Sequence, residues 1–315
     1  MQANNIFSKI IRRANKLIYR FIRFGVSVTF FDYLFEITQS DKISKIKHKI
    51  VVNYLKRKYS FFVSERLEKV NIPPQGKIPK QIWVCWWNGI DMMPPLVKTC
   101  YESILRYSNG YQVTLITKYN YTDYFTVPDY IIEKINNGTL HLTQFSEIVR
   151  LALLYNHGGL WLDATYLITN PIEIQEIPFF TIRTYYDAPK HIANGRWQGN
   201  CIGGVPKYYF FCFLLDFLVE YWRDYNYLLT YHLYDYAINL TYDSFPSVKA
   251  SFDNINPINK NDFLVDNLIN EYDGSLYEKA VKDTIFHKLS WKRVGPTRLS
   301  EDKLTFYGYI LSKFQ

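Results

Sequence analysis

The apolar and polar positions divide the chain into a helical N-terminal part and a longer part in which strands alternate with helices. Within residues 6–25, apolar side chains recur at helical spacing along one arc, while the opposite arc carries basic side chains and no acidic one. The apolar arc comprises Phe7, Ile10, Ile11, Ala14, Leu17, Ile18, Phe21 and Ile22, and the basic arc comprises Lys9, Arg12, Arg13, Lys16, Arg20 and Arg23. This pattern predicts an amphipathic helix.

Two interpretations of this helix are open. A fully basic face with Ile and Phe beneath it is typical of a helix on an anionic membrane surface, and the alternative is a helix that packs on its own domain. A second basic stretch, residues 42–58, segregates less well and predicts a solvated helix face. No apolar stretch approaches the roughly 20 residues that span a bilayer, and the N-terminus lacks the features of a signal peptide. We therefore expect a cytoplasmic protein, peripheral at the inner face of the cell membrane.

A segment rich in Pro and Gly, NIPPQGKIPK at residues 71–80, predicts a boundary. We expect a helical, basic, membrane-associating segment over residues 1–75 and a catalytic domain over residues 76–315. After the boundary, QIWVC at residues 81–85 and QVTLIT at residues 112–117 are typical of strands, with a helix predicted between them at residues 94–107. Strand–helix–strand order predicts an α/β fold with a parallel sheet.

A further helix is predicted over residues 143–157, with Thr143 as its N-cap and Gly158 and Gly159 ending it. A strand over residues 160–167, interrupted by Asp163, follows at once. Because ligands bind at the carboxyl ends of parallel strands, we expect Asp163 to lie near the end of the first strand.

Asp163 is the most informative single residue. A carboxylate in an apolar strand is costly to bury without a partner, and a divalent cation held between it and a substrate diphosphate would offset that cost. Mn²⁺ and Mg²⁺ prefer such oxygen ligands. The alternative is that Asp163 ends the strand by capping the turn at residues 169–171.

The charge of the chain is concentrated at its N-terminus. The net charge is +8, and residues 1–66 alone hold 14 Lys/Arg and 4 Asp/Glu, a net charge of +10, so the remainder carries −2. No RRM, KH or zinc-finger signature accompanies this basic segment, and we expect no nucleic-acid partner. The four cysteines form no CxxC pair, which predicts neither a zinc site nor disulfides.

Three segments in order resemble the motifs of the capsular-polysaccharide-synthesis glycosyltransferases related to glycosyltransferase family 32. Residues 77–89, KIPKQIWVCWWNG, resemble the opening I-P-K-x-I-W-x-x-W motif, and residues 287–292, HKLSWK, resemble the closing K-L-S-W-K motif. Between them, residues 145–165, FSEIVRLALLYNHGGLWLDAT, resemble F-S-D-x-x-R, L-L-Y-x-x-G-G and W-x-D-A-T. The resemblance covers residues 77–292 and says little about residues 1–70.

The resemblance implies a GT-A-type, Rossmann-like nucleotide-sugar-binding fold with a mostly parallel central sheet. It also implies a UDP-sugar donor, Mn²⁺ or Mg²⁺ as cofactor, and retention of anomeric configuration. We expect transfer of a hexose, galactose or glucose, from a UDP-hexose donor to a lipid-linked oligosaccharide acceptor in capsular or surface polysaccharide synthesis. The alternative is a catalytically inactive nucleotide-sugar or carbohydrate-binding protein.

The central motif assigns four residues by resemblance. Asp163 would hold the metal and diphosphate, and Thr165 stands where the broader family often has the second acid of an Asp-x-Asp motif. Arg150 would reach the donor sugar or its phosphates, and Glu147 replaces the usual Asp near the sugar hydroxyls. From their spacing alone, Glu147 and Arg150 are also explained by a surface ion pair on a helix.

The other candidates belong to the flanking motifs and the loops. The first strand and its exit supply Trp83, Trp86, Asn88 and Gly89. Among the tryptophans of this segment, one would lie against the nucleotide base and the rest would lie in the core. Gly158 and Gly159 would approach the ligand or only cap a helix. His287 would bind metal or diphosphate, or be structural. The remaining candidates are Ser290, Trp291 and Lys292 over the diphosphate, Gln198 and Asn200 toward the sugar, and Asp235 on the acceptor side.

Overall fold

The computed structural model describes residues 2–174, 176–185, 188–258 and 262–314. Within these ranges the helices are α1 (Gln2–Phe24), α2 (Val26–Thr38), α3 (Asp41–Lys58), α4 (Ser60–Glu65), α5 (Leu67–Val70), α6 (Pro95–Arg106), α7 (Asp129–Asn136), α8 (Leu142–His157), α9 (Tyr209–Asp224), α10 (Leu233–Ser244), α11 (Pro246–Asp253), α12 (Phe263–Asp266), α13 (Gly274–Asp283) and α14 (Phe306–Lys313). The strands are β1 (Gln81–Cys85), β2 (Gln112–Ile116), β3 (Gly159–Leu162), β4 (Tyr166–Ile168), β5 (Phe179–Thr181), β6 (Cys201–Gly204), β7 (Phe286–Lys288), β8 (Arg298–Ser300) and β9 (Lys303–Leu304).

The central sheet is mixed and mainly parallel. Its strand order is β2-β1-β3-β6-β5. Strand β1 pairs in parallel with β2 and β3, and β6 runs antiparallel to both β3 and β5. With helices packed around this sheet, the expected α/β class with a mainly parallel central sheet is confirmed.

The predicted strand over residues 160–167 is two strands in two sheets, so the prediction of one continuous strand was wrong. Strand β3 stops before Asp163, and β4 pairs with β7 outside the central sheet. The backbone explains the break, because Asp163 N–H donates to the carbonyl of Asn200 and Tyr166 N–H donates to the carbonyl of Asp163. Asp163 therefore lies in a turn at the end of β3.

The passage from α8 into β3 depends on glycine. Gly158 and Gly159 have φ of +67° and +100°, a region that favours glycine. A Cβ on Gly159 would lie 2.6 Å from the backbone oxygen of Gln81 in the neighbouring strand. These glycines serve the close packing of helix and strands. Thr143 lies inside the first turn of α8, which begins at Leu142, so its predicted N-cap role was wrong.

The N-terminal helices share a hydrophobic core with the rest of the chain. Val28 of α2 and Leu55 of α3 belong to the same buried cluster as Phe217 of α9. The predicted boundary, residues 71–80, holds neither helix nor strand.

Helix α1 uses part of its basic arc to attach to the rest of the protein. Arg20 is buried, donates to Asp32 of α2 at 2.5 Å, and donates to the carbonyl of Leu229 at 2.6 Å. Arg23 donates to the carbonyl of Asp224. Among the described residues, no helix is both long enough and apolar enough to cross a membrane.

Candidate functional site

A cavity of about 550 Å³ opens beside the carboxyl end of β3. It collects side chains from elements that are far apart in the sequence. Its charged and amide side chains include Glu147 and Arg150 of α8, Asp163 after β3, Gln198 and Asn200 before β6, Asp235 of α10, and Lys288 of β7. The structure thus brings together most of the polar residues that the sequence singled out.

Asp163 is held by three side-chain donors. Arg150 Nη2 lies 3.0 Å and Trp161 Nε1 2.9 Å from its Oδ1, and Lys288 Nζ lies 3.0 Å from its Oδ2. These bonds, rather than a cap on the turn at residues 169–171, account for the half-buried carboxylate. They make a compact cluster of one anion between two cations.

Lys288 is the main site residue that the sequence did not predict. The antiparallel register of β4 and β7 sets Lys288 opposite Tyr166, and Leu289 N–H donates to the carbonyl of Thr165 at 2.9 Å. This pairing brings Lys288 next to Asp163. Neighbouring residues on a strand point to opposite faces. Lys288 therefore faces away from the side on which His287 lies, and this alternation was the available signal that Lys288 points to the site.

Burial and neighbouring charges act differently on the two cavity carboxylates. Burial pushes the pKa of Asp163 upward, but Lys288 and Arg150 outweigh it and hold that pKa below its ordinary range. Burial raises the pKa of Glu147 to about 8; Arg150 opposes this rise, and Asp235 and Asp163 add to it. Glu147 is therefore mostly protonated at neutral pH, whereas Asp163 is ionised.

Two polar atoms at the cavity have no hydrogen-bond partner within the described ranges. They are Nε of Arg150 and the hydroxyl of Tyr234, and each residue is only 4% exposed. The Arg150 guanidinium lies 5.0 Å from the ring centroids of both Trp161 and Tyr234. Because buried polar groups are nearly always paired, these atoms are suited to contact a polar ligand. Tyr234 was not predicted, since nothing in its local sequence distinguishes it from the other tyrosines.

The amides of Gln198 and Asn200 line the cavity. Their oxygens lie 2.8 and 2.7 Å from the hydroxyl of Tyr166, which fixes their orientation. Asp235 also lines the cavity and accepts a hydrogen bond from Trp197 Nε1 at 3.1 Å.

The residues of the first strand are divided between core and surface. Trp83 is buried and donates to the carbonyl of Gly158 at 2.8 Å, which makes it a packing residue. Trp86 is half-buried at the strand exit, and Asn88 and Gly89 follow in a turn with Asn88 exposed.

The closing motif extends from the cavity to the surface. Ser290 lines the cavity, and Trp291 is exposed with its ring 6.2 Å from that of Trp86, edge to face. Lys292 is exposed and lies 5.7 Å from the Trp291 ring centroid. The cation nearest to Asp163 in this motif is thus Lys288 rather than Lys292.

The expected metal ligands do not fit a divalent ion as they are arranged. The hydroxyl of Thr165 lies 2.5 Å from Lys288 Nζ, the same ammonium that holds Asp163. His287 is buried on the other face of β7, where its Nε2 lies 3.5 Å from Thr169 Oγ1. In the part of the chain that the structure describes, no group of three or more His, Cys, Asp or Glu side chains is placed to hold a metal.

The fold and the cavity define an α/β protein with a charged cavity at the end of its central sheet. The sequence model described as "Capsular polysaccharide synthesis protein" matches residues 31–310. The chain therefore belongs to the capsular polysaccharide synthesis protein family. Among solved structures, "PaToxG Glycosyltransferase" is 14% identical, with 66% of this chain and 84% of that chain covered and a TM-score of 0.43. No curated protein matches the chain.

Proposed function

We propose that the protein is a glycosyltransferase that binds a nucleotide sugar in the cavity beside Asp163. The cluster of Arg150, Asp163 and Lys288 carries the proposal, because it fixes two cations in a cavity at the end of the sheet. Membership of the capsular polysaccharide synthesis family supports a role in making a surface polysaccharide. The finer proposal is a GT-A-type site that transfers a hexose from UDP-galactose or UDP-glucose, with retention of configuration, to a lipid-linked oligosaccharide.

The cluster suits an anionic leaving group. Departure of UDP places negative charge on the diphosphate, and cations held in position stabilise that charge without reorganisation. Lys288 and Arg150 both donate hydrogen bonds to Asp163. These bonds hold the two cations in position before a ligand binds. The cavity volume of about 550 Å³ lies within the usual range for small-molecule sites, roughly 300–1,000 Å³.

The sugar would meet the amide and carboxyl groups on the other walls. Gln198 and Asn200 supply amide groups that are already oriented by Tyr166. Glu147, protonated at neutral pH, is able to donate a hydrogen bond to a sugar oxygen. The exposed Trp291 ring, close to Trp86, offers a surface for the nucleotide base.

The experiment is release of UDP from a panel of UDP-sugars, with and without a lipid-linked acceptor extract, in Mn²⁺, Mg²⁺ or EDTA. Release from one donor is expected, and Asp163→Asn should abolish it while the protein remains folded by circular dichroism. Full turnover in that folded variant would refute the assignment of the site. Comparison of the three conditions also tests the predicted metal.

Two lysines of one motif provide a matched control. Lys288→Met removes the ammonium that holds Asp163, whereas Lys292→Met removes an exposed ammonium only four residues away. We expect loss of UDP release, about 100-fold or more, in the first variant and a much smaller loss in the second. The opposite order would favour the role assigned to Lys292 by resemblance.

The second candidate function is a nucleotide-sugar-binding protein without transfer. One observation favours it: Thr165 stands in place of a second acid, and Lys288 occupies the space between Thr165 and Asp163. Calorimetric binding of a UDP-sugar without release of UDP, even with acceptor extract present, would support this candidate.

A further inference from the structure

Helices α1 and α2 expose a row of large apolar side chains that no described part of the chain covers. We call this row the apolar face. It consists of Ile18 (56% exposed) and Ile22 (77%) on α1, and Val26 (69%), Phe30 (49%), Tyr33 (48%) and Ile37 (64%) on α2. Their spacing of three or four residues places them on one side of each helix. Large apolar side chains exposed in this number on two neighbouring helices are typical of an interaction site.

The rotation of both helices is fixed, so the apolar face cannot turn inward. Arg20 of α1 and Asp32 of α2 form a buried ion pair, and Lys47 of α3 lies 3.6 Å from the same carboxylate. Phe24 and Val28 are buried in the core on the same inner sides. The apolar face is therefore the outer side of a firmly attached helix pair.

The surroundings of the apolar face are predominantly basic, although Glu36 of α2 and Asp41 of α3 are also exposed. Residues 1–66 carry a net charge of +10, from 14 Lys/Arg and 4 Asp/Glu. Helix α3, which packs beside α2, exposes Lys42, Lys45 and Lys49. Lys16 and Arg23 of α1 are also exposed, within about one helix diameter of the face and so within the reach of electrostatic attraction. An apolar row with basic flanks is complementary to anionic lipid headgroups over an apolar interior.

A basic groove connects α1 with the helix that carries the site. A cavity of about 900 Å³ is lined by Arg13 and Lys16 of α1 and by Gln144 of α8. Glu147 and Arg150 line the site cavity one and two turns further along α8.

We propose that the apolar face docks on the surface of an anionic lipid bilayer, with α1 and α2 lying along it. The apolar side chains enter the headgroup region, and the exposed lysines and arginines contact lipid phosphates. This docking rests on the proposed function, in which the acceptor is lipid-linked, because it holds the protein at the surface where such an acceptor lies. It assigns to α2 the larger part of the contact.

The experiment measures flotation of the purified full chain with vesicles, without any sugar nucleotide. Vesicles of phosphatidylcholine with about one third phosphatidylglycerol should bind the protein, and pure phosphatidylcholine should bind it much less. Ile22→Glu and Phe30→Glu should each weaken binding by about 10-fold or more, because each removes an apolar side chain that docking would bury and adds a negative charge that anionic lipids repel. Ile269→Glu, at a position 52% exposed in the C-terminal part, is the matched control and should bind as the unmodified protein does.

Three results would overturn the docking proposal. One is absence of binding to anionic vesicles, and another is equal binding by Ile22→Glu, Phe30→Glu and Ile269→Glu. The third is a dimer in light scattering that dissociates in Ile22→Glu without any vesicle binding, since the face would then bind a second copy. UDP release from the donor is measured in parallel with a soluble acceptor, so that loss of docking and loss of transfer are separate results.

Discussion

The unusual protonation of Glu147 gives a prediction with a definite magnitude. Burial raises its pKa to about 8 from an ordinary value of 4.5. Between these values the unfolded chain has released the proton and the folded chain still holds it, so the free energy of unfolding falls as pH rises. The full effect is about 1.4 kcal/mol per pH unit, or about 2.7 kcal/mol from about pH 5.5 to 7.5. Because Glu147 is half-buried and faces a solvent-accessible cavity, we expect about half of this, roughly 1.4 kcal/mol.

The measurement is urea denaturation of the unmodified protein and of Glu147→Gln across this pH range. Glutamine has the same shape and does not titrate, so the unmodified protein should lose stability relative to the variant up to about pH 8 and run parallel above it. Glu133→Gln, at an exposed position on α7, is the control and should follow the unmodified protein. Parallel curves for the unmodified protein and Glu147→Gln throughout would refute the reasoning.

The protonation of Glu147 should also affect the pH dependence of UDP release. If the protonated carboxyl of Glu147 donates to the donor sugar, UDP release should fall as pH rises through about 8. Glu147→Gln should lose this part of the pH profile. An unchanged profile in the variant would assign the titration to another group.

Three further predictions concern stability. Gly159→Ala should lower the melting temperature, by the equivalent of about 2 kcal/mol or more, because φ is +100° and the new Cβ would lie 2.6 Å from a backbone oxygen; an unchanged melting temperature would contradict the packing described. Asp32→Ala leaves Arg20 and Lys47 buried without their counter-charge and should cost about 3–5 kcal/mol in chemical denaturation; a loss below about 1 kcal/mol would show the charges solvated. Burial lowers the pKa of His287 from 6.5 to about 4, so acidification below pH 6.5 protonates the unfolded chain first and lowers the free energy of unfolding. His287→Gln should lose less stability than the unmodified protein over this range. An equal loss in both would exclude His287 as its source.

The central sheet was predictable because its local signals are strong. Strand β1 occupies the predicted residues 81–85, since a strand flanked by others in a parallel sheet is mostly apolar, as residues 82–85 are here. Helix α8 ends at His157 as expected, because Gly158 and Gly159 adopt positive φ there. These features depend on residues that are close in the sequence.

What the sequence did not predict depends on distant partners. At the end of β3, Asp163 N–H donates to the carbonyl of Asn200, a distant partner that an apolar run such as LWLDATYLI does not reveal. The periodicity of α1 identified two arcs correctly, but it could not tell which arc packs. That was decided by the buried partner of Arg20, Asp32, which lies on the next helix.

The ion pair between Asp163 and Lys288 also has a consequence for the order of folding. The two residues are 125 positions apart, and closing so long a loop is entropically unfavourable before many other contacts exist. Helix α8 and strand β3 adjoin in sequence and can assemble early, whereas β7 reaches β4 only when the C-terminal part of the fold has docked. Until then Asp163 has no contact with Lys288, and β4, which follows the turn at Asp163, is not yet paired with β7. We therefore expect the contact between Asp163 and Lys288 to form late, after the core of the chain has collapsed.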